Sequence, residues 1–352
     1  MIYSYGVTLP GTYHIKNNIV CQDDHKIVKG DDNFAIAAVA DGVGSEKYTD
    51  VASKLAVHSS TEYCKKSITK NSKPEEILGS IKESFKAALT SIEKIAEMNG
   101  LPLDQYDTTL SLAVLINDTL YYGHSGDSGI VALTTEGLYE KVTEQQKDEN
   151  GCVFPLPFVE KWVFNQFEKK VCSVFLATDG IYETLFPVLI RNEKINIHTN
   201  LASFFMDNRQ LKIDKIGETT VQTQIENFIR DIPDAQVNDD KTIVVLVNTS
   251  IEMKPQPDDY YKDPDWVELK RKHDEEYKRQ AYPHLFIDKK EDVPKETSAA
   301  NKPSEKGSEA DNKASSGLTI NDTDKKQKEV KADKPRKKGG FWSWLLTPKQ
   351  EK

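Results

Sequence analysis

Cysteine is scarce in this chain of 352 residues: Cys21, Cys64, Cys152 and Cys172 are widely spaced and form no Cys-x-x-Cys pair. That spacing indicates neither a zinc cluster nor a disulfide framework, so reduced thiols are expected. Nowhere do about 18 apolar residues run together, the length a spanning helix needs. The first ten residues lack a basic segment leading into an apolar one, so no secretory leader is expected, and the sequence places the protein in the cytoplasm. No internal repeat is visible.

Positive charge is also in short supply. The formal net charge is −9, from 47 Lys and Arg against 56 Asp and Glu. The imbalance is uneven, because residues 288–352 hold 16 basic and 12 acidic side chains, a net of +4, which leaves −13 on residues 1–287. A body this acidic lacks the basic face that phosphate backbones require, so no nucleic-acid partner is expected. Cations and basic peptides suit it better.

What is present is a core concentrated in the first two thirds of the chain. The apolar run Phe34 to Ala40 ends at an Asp-Gly turn and suits a strand buried on both faces. Leu110 to Ile116 and Leu120 to Tyr122 flank Asn117-Asp118-Thr119, a hairpin signal, and Ile130 to Thr134, Val171 to Thr178 and Thr242 to Val247 add further strands. Val51, Leu55, Ala56 and Tyr63 recur at helical spacing after a cap at Thr49 or Asp50. Ile77, Ile81, Phe85, Ala88, Leu89, Ile92 and Ile95 form a longer stripe ending at Asn99-Gly100, and a third helix is expected over Val221 to Arg230. Strands in runs, with helices between the runs, predict an α+β fold with an antiparallel sheet or sandwich and helices outside it.

Five acidic clusters stand at the ends of these runs or in turns: Gln22-Asp23-Asp24, Asp41-Gly42, Gly126-Asp127-Ser128, Asp179-Gly180 and Asp239-Asp240. Oxygen donors without His or Cys favour Mg2+ or Mn2+ over zinc. Glycine after an aspartate lets the backbone turn sharply, so that its own carbonyl can face the same cation. Singly, each Asp-Gly is more often a plain turn.

The ordered series Gln22-Asp23, Ala40-Asp41-Gly42-Val43-Gly44, Asp107-Thr108-Thr109, Gly123-His124-Ser125-Gly126-Asp127-Ser128, Leu176-Ala177-Thr178-Asp179-Gly180-Ile181 and Asn238-Asp239-Asp240-Lys241-Thr242 resembles the metal-dependent protein phosphatase 2C family over about Tyr5 to Val247. Gly11-Thr12-Tyr13-His14-Ile15-Lys16 leading to Cys21-Gln22-Asp23 is similar to a bacterial branch with Gln-Asp in place of Glu-Asp. The resemblance implies a β-sandwich of two mainly antiparallel sheets flanked by helices, with two Mn2+ or Mg2+ ions at one edge. It implies that Asp41 bridges the ions, that Gly42 lends its carbonyl, that Asp179 and Asp239 hold the first metal, and that Asp127 belongs to a third, weaker one.

With Gln22 where the family carries a carboxylate, the second metal is either held more weakly or gains Asp23 or Asp24 as ligand. The arginine that grips phosphate in many relatives is absent, leaving His14 and Lys16 as the nearest candidates; His14 is also a candidate acid. The implied reaction is hydrolysis of phosphoserine or phosphothreonine in proteins by a metal-activated water, opposing a cognate kinase. Its alternatives are a pseudophosphatase scaffold and a phosphatase for a small phosphoester. No protein nucleophile is needed, in keeping with the absence of a Cys-x5-Arg loop and a Gly-x-Ser-x-Gly elbow. His124 reads as structural, and Asn150 to Phe158 sits where the family carries its variable flap.

The expected organisation is a catalytic domain over 1–250, an aromatic and charged helical extension over 251–287, a disordered charged linker over 288–340 and a short motif over 341–352. In that last part a basic cluster precedes Phe341, Trp342, Trp344 and Leu345, a composition suited to a membrane surface or a partner's groove.

Overall fold

The computed structural model describes residues 1–30 and 33–283. In chain order the elements are β1 (Ile2–Leu9), α1 (Thr12–Asn17), β2 (Asp24–Lys29), β3 (Phe34–Ala40), α2 (Thr49–Ser67) and α3 (Pro74–Asn99). There follow β4 (Leu110–Ile116), β5 (Thr119–Ser125), β6 (Gly129–Thr134), β7 (Tyr139–Lys141), β8 (Val163–Gln166) and β9 (Val171–Ala177). Then come α4 (Asp179–Leu185), α5 (Thr199–Met206), α6 (Asn208–Leu211), α7 (Ile213–Ile216), α8 (Glu218–Arg230), β10 (Lys241–Asn248) and α9 (Trp266–Ala281).

The strands make two five-stranded sheets, ordered β1-β10-β9-β6-β7 and β2-β3-β4-β5-β8, with every neighbouring pair antiparallel. Side-chain alternation explains how they stack. In β3, Ala35, Ala37 and Val39 pack with Ala113, Val174 and Val244 in the layer between the sheets. The intervening Ile36, Ala38 and Ala40 join the core formed with α2 and α3. On the other sheet, Phe175 and Val245 pack against apolar residues of α4, α5 and α8. Both faces of each sheet are covered, so the central strands need apolar residues at nearly every position, as the continuous runs in the sequence foretold.

The helices follow from local chemistry. Pro74 opens α3, Glu76 accepts a hydrogen bond from the Lys73 N–H at 2.9 Å, and Gly100 closes the helix at φ +62°. Its stripe Ile77, Ile81, Phe85, Ala88 and Ile92 is buried. α2 starts without a side-chain cap: its N-cap is Tyr48, stacked on Tyr106, and Thr49 is already the first helical residue and fully buried. The strands β1, β2, β7 and β8 carry mixed polar and apolar residues, because each lies next to or at a sheet edge.

The compact body extends past residue 250, through residue 273. Lys254 N–H donates to the Thr135 carbonyl at 2.8 Å, Tyr139 N–H donates to the Tyr260 hydroxyl at 3.0 Å, and His198 meets Asp263 at 2.9 Å. Trp266 and Leu269 are buried with Ile190. The aromatic extension therefore divides into a short 3-10 turn at Asp258–Tyr261 and α9, rather than one helix. From Asp274 the chain belongs to a second unit, of which 274–283 are described. The expected linker and the terminal motif with Phe341, Trp342, Trp344 and Leu345 lie outside the described residues. Among the described residues, no helix is long and apolar enough to cross a membrane.

Phe85 is fully buried, with ring centroids 5.5 Å from Trp162 and 5.0 Å from Phe164, and joins α3 to β8. Phe85→Ala is expected to lower unfolding free energy by about 3–5 kcal/mol, measured by urea titration.

Candidate metal centre

Antiparallel pairing brings five acidic turns to one end of the sandwich. β3 ends just before Asp41 and β9 two residues before Asp179, the first residue of α4, while β2, β6 and β10 start just after Asp23, Asp127 and Asp240. The register pairs Asp24 with Ala40, Gly129 with Ala177 and Ile243 with Ala177. Carboxylate oxygens of Asp41, Asp127 and Asp179 consequently lie within 4.8 Å of one another.

Each turn is held by specific partners. Asp41 N–H donates to Thr109 Oγ1 at 2.9 Å, its carbonyl accepts from Thr109 N–H at 2.8 Å, and Thr109 Oγ1 reaches Ser128 Oγ at 2.9 Å. Thr109 thus joins the Asp41 turn to the Asp127 turn. A side chain at Gly42 would approach Thr49 Cβ to 2.6 Å and the Gln22 carbonyl to 2.9 Å, so only glycine fits there. At Gly180 the added carbon would come within 2.2 Å of the Asp240 carbonyl.

Asp239 and Asp240 divide the labour. Asp239 is exposed, and its charge acts on Asp41 and Asp179. Asp240 is buried and receives N–H groups from Gly11 and Gln22, each at 2.6 Å. His14 Nδ1 lies 2.8 Å from Asp240 Oδ1, close enough for charge pairing but off the line a hydrogen bond needs. Asp240 therefore anchors the 11–22 segment beside the cluster. Thr178 Oγ1 donates to Asp23 Oδ2 at 2.7 Å, which ties β2 to the Asp179 turn.

Crowded carboxylates hold protons. Burial first, then Asp23, Asp179, Asp127 and Asp239, pushes the Asp41 pKa well above the ordinary range. Asp179 is pushed up to about 7 by burial and by Asp127, Asp239 and Glu183, with Lys147 opposing. Asp23 is raised by burial and by Asp240, partly offset by hydrogen bonds from Thr178, Thr242 and Asp41. Two buried oxygens, Gln22 Oε1 and Asp23 Oδ1, have no hydrogen-bond partner. An all-oxygen donor set with surplus negative charge and unsatisfied oxygens fits a hard divalent cation.

The remaining candidates are placed as follows. Lys16 is exposed and pairs with Asp234 at 3.0 Å. Asp24 is half-buried and accepts from His25 N–H. His124 is buried between Ser111 Oγ at 2.9 Å and the Glu144 carbonyl at 3.0 Å, and burial pushes its pKa down to about 4, which suits a neutral structural residue. Lys147, which no sequence signal singles out, points its ammonium at the cluster, 3.0 Å from Asp127 Oδ2. It sits in the polar run Glu144 to Asn150, where a lysine is unremarkable.

A family profile described as Protein phosphatase 2C matches residues 10–229. No curated protein matches the sequence significantly. Among solved structures, a bacterial serine phosphatase is similar at 14% identity and TM-score 0.50, covering 72% of this chain and 99% of that one. A single-substitution form of a bacterial serine phosphatase gives 14% identity and TM-score 0.51, with 72% and 99% covered. The serine/threonine phosphatase Stp1 of Staphylococcus aureus gives 14% identity and TM-score 0.49, with 70% and 95% covered. At this identity the first two speak for the two-sheet fold, while the profile, covering more than half the chain, speaks for descent. With the acidic turns gathered at one end of that fold, the chain belongs to the protein phosphatase 2C family of metal-dependent serine/threonine phosphoprotein phosphatases.

Proposed function

We propose that the acidic end of the sandwich holds two Mn2+ or Mg2+ ions and dephosphorylates phosphoserine or phosphothreonine in a protein substrate supplied by a cognate kinase. The observation that carries this reading is the convergence of Asp41, Asp127 and Asp179 within 4.8 Å. Asp41, Asp179 and Asp239, with the Gly42 carbonyl, are the proposed ligands, and the unpartnered Gln22 Oε1 is the donor on the remaining side. When bound, such ions supply Lewis acidity that brings the pKa of water toward neutrality and offsets phosphoryl charge.

The protein's own residues do the rest. Asp23, fixed by its hydrogen bond from Thr178, places a second buried carboxylate beside Asp41. Asp240 fixes Gly11, His14 and Gln22 against the cluster, so His14 stays a candidate for contact with the phosphate or for delivery of a proton. Lys16 is paired only at the surface, an interaction worth about 0–1 kcal/mol, so its ammonium is easily given up to a phosphate. On sequence grounds, Phe341, Trp342, Trp344 and Leu345 supply a tether to a partner or a membrane surface.

With the full chain, added Mn2+ and an aryl phosphate, Asp179→Asn is expected to lower kcat by more than about 100-fold, beyond what loss of a residue supporting a ligand costs. Equal and metal-independent rates for both proteins would reject catalysis in favour of a scaffold. Gln22→Glu adds a charged donor and is expected to tighten Mn2+ binding about tenfold in a calorimetric titration; unchanged affinity would remove Gln22 from the site. The pH sign follows from Asp179. Its proton is held up to about 7 and must leave before a cation binds, so Mn2+ affinity falls as pH falls through that value. A decrease of about tenfold between about pH 8 and about pH 6 is expected by calorimetry.

A further inference from the structure

The segment from residue 142 to residue 162, between β7 and β8, is stitched to the Asp127 turn. Gln145 Nε2 donates to the Asp127 carbonyl at 2.9 Å, Gln146 N–H to the Gly126 carbonyl at 2.8 Å, and Gly126 N–H to Gln146 Oε1 at 3.0 Å. An isolated bridge between Lys147 and Val153 folds the segment back on itself. These contacts deliver one cation to the acidic end. Lys147 Nζ lies 3.0 Å from Asp127 Oδ2, 3.6 Å from Glu183 Oε1 and 4.0 Å from Asp179 Oδ2.

The side chain of Asp127 is 8% exposed and that of Lys147 29%, so the pair is mostly shielded from water and its attraction is only partly screened. A lysine is ordinarily charged at neutral pH, and Asp127, Asp179 and Glu183 all face this ammonium with negative charge. A divalent ion on Asp127 would have to sit beside this ammonium and repel it. Ammonium and ion compete for the same oxygens.

We propose that the Lys147 ammonium is the resident cation of the Asp127 corner and keeps a divalent ion out of it. The protein then works with two metal ions, and Asp127 serves to hold Lys147 rather than a metal. This rests on the two-metal reading of the same site.

The test is a count of Mn2+ ions bound to the full-length protein, from calorimetry and from the electron paramagnetic resonance signal of free Mn2+. The native chain and Lys147→Arg are expected to bind two ions, and Lys147→Met, which keeps the length but not the charge, to bind a third. Asp127→Asn in the native background is expected to leave the count at two. Three ions on the native chain, a lost ion in Asp127→Asn, or no added ion in a Lys147→Met protein with native circular dichroism would each overturn the proposal. A native protein that binds no Mn2+ would overturn the two-metal reading itself, which separates the two failures.

Discussion

Like charges packed together are the constraint around which this molecule is organised. Asp41, Asp127 and Asp179 bring carboxylate oxygens within 4.8 Å of one another, and Asp23 and Asp240 lie buried close behind them. Such an arrangement is unfavourable unless protons or cations offset it. The rest of the fold supplies the force that holds it. Two sheets covered on both faces fix the strand ends, and the strand ends fix the carboxylates. Thr109 and Thr178 each span two of the acidic segments, so the Asp41, Asp127 and Asp23 turns cannot relax away from their neighbours without breaking a hydrogen bond.

The layout was legible in the sequence where one residue type has one physical use. Phe34 to Ala40 has to be buried on both sides, and the structure buries every residue in it. Gly100 and the stripe of α3 mark that helix and its end. Asp41-Gly42 marks a turn and Asp179-Gly180 the start of α4, with glycines enforced by Thr49 and by the Asp240 carbonyl. Illegible were the short helices α4 to α7, whose apolar residues join the core on one sheet face at irregular spacing, and the edge strands β1 and β2, with polar residues and Gly6 among the apolar ones.

Lys147 and Asp240 were hidden for a different reason. Their roles depend on partners far away in the chain, Asp127 for one and Gly11 and Gln22 for the other. Asp240 looks like the twin of Asp239, yet burial separates them: the exposed carboxylate faces the site, and the buried one is saturated by N–H donors. Neighbours in sequence on a turn point to different environments, and only the fold assigns which is which.

The anchoring of Gly11 and Gln22 by Asp240 has a consequence for how the molecule comes into being. The first strand has as its neighbour the last strand of the sandwich, Leu9 opposite Lys241, and the acidic end is closed by a residue about 230 positions after the segment it secures. A growing polypeptide that has reached only α4 contains Asp41, Asp127 and Asp179 but neither Asp239 nor the Asp240 anchor of Gly11 and Gln22. The acidic end is complete only once β10 lies between β1 and β9.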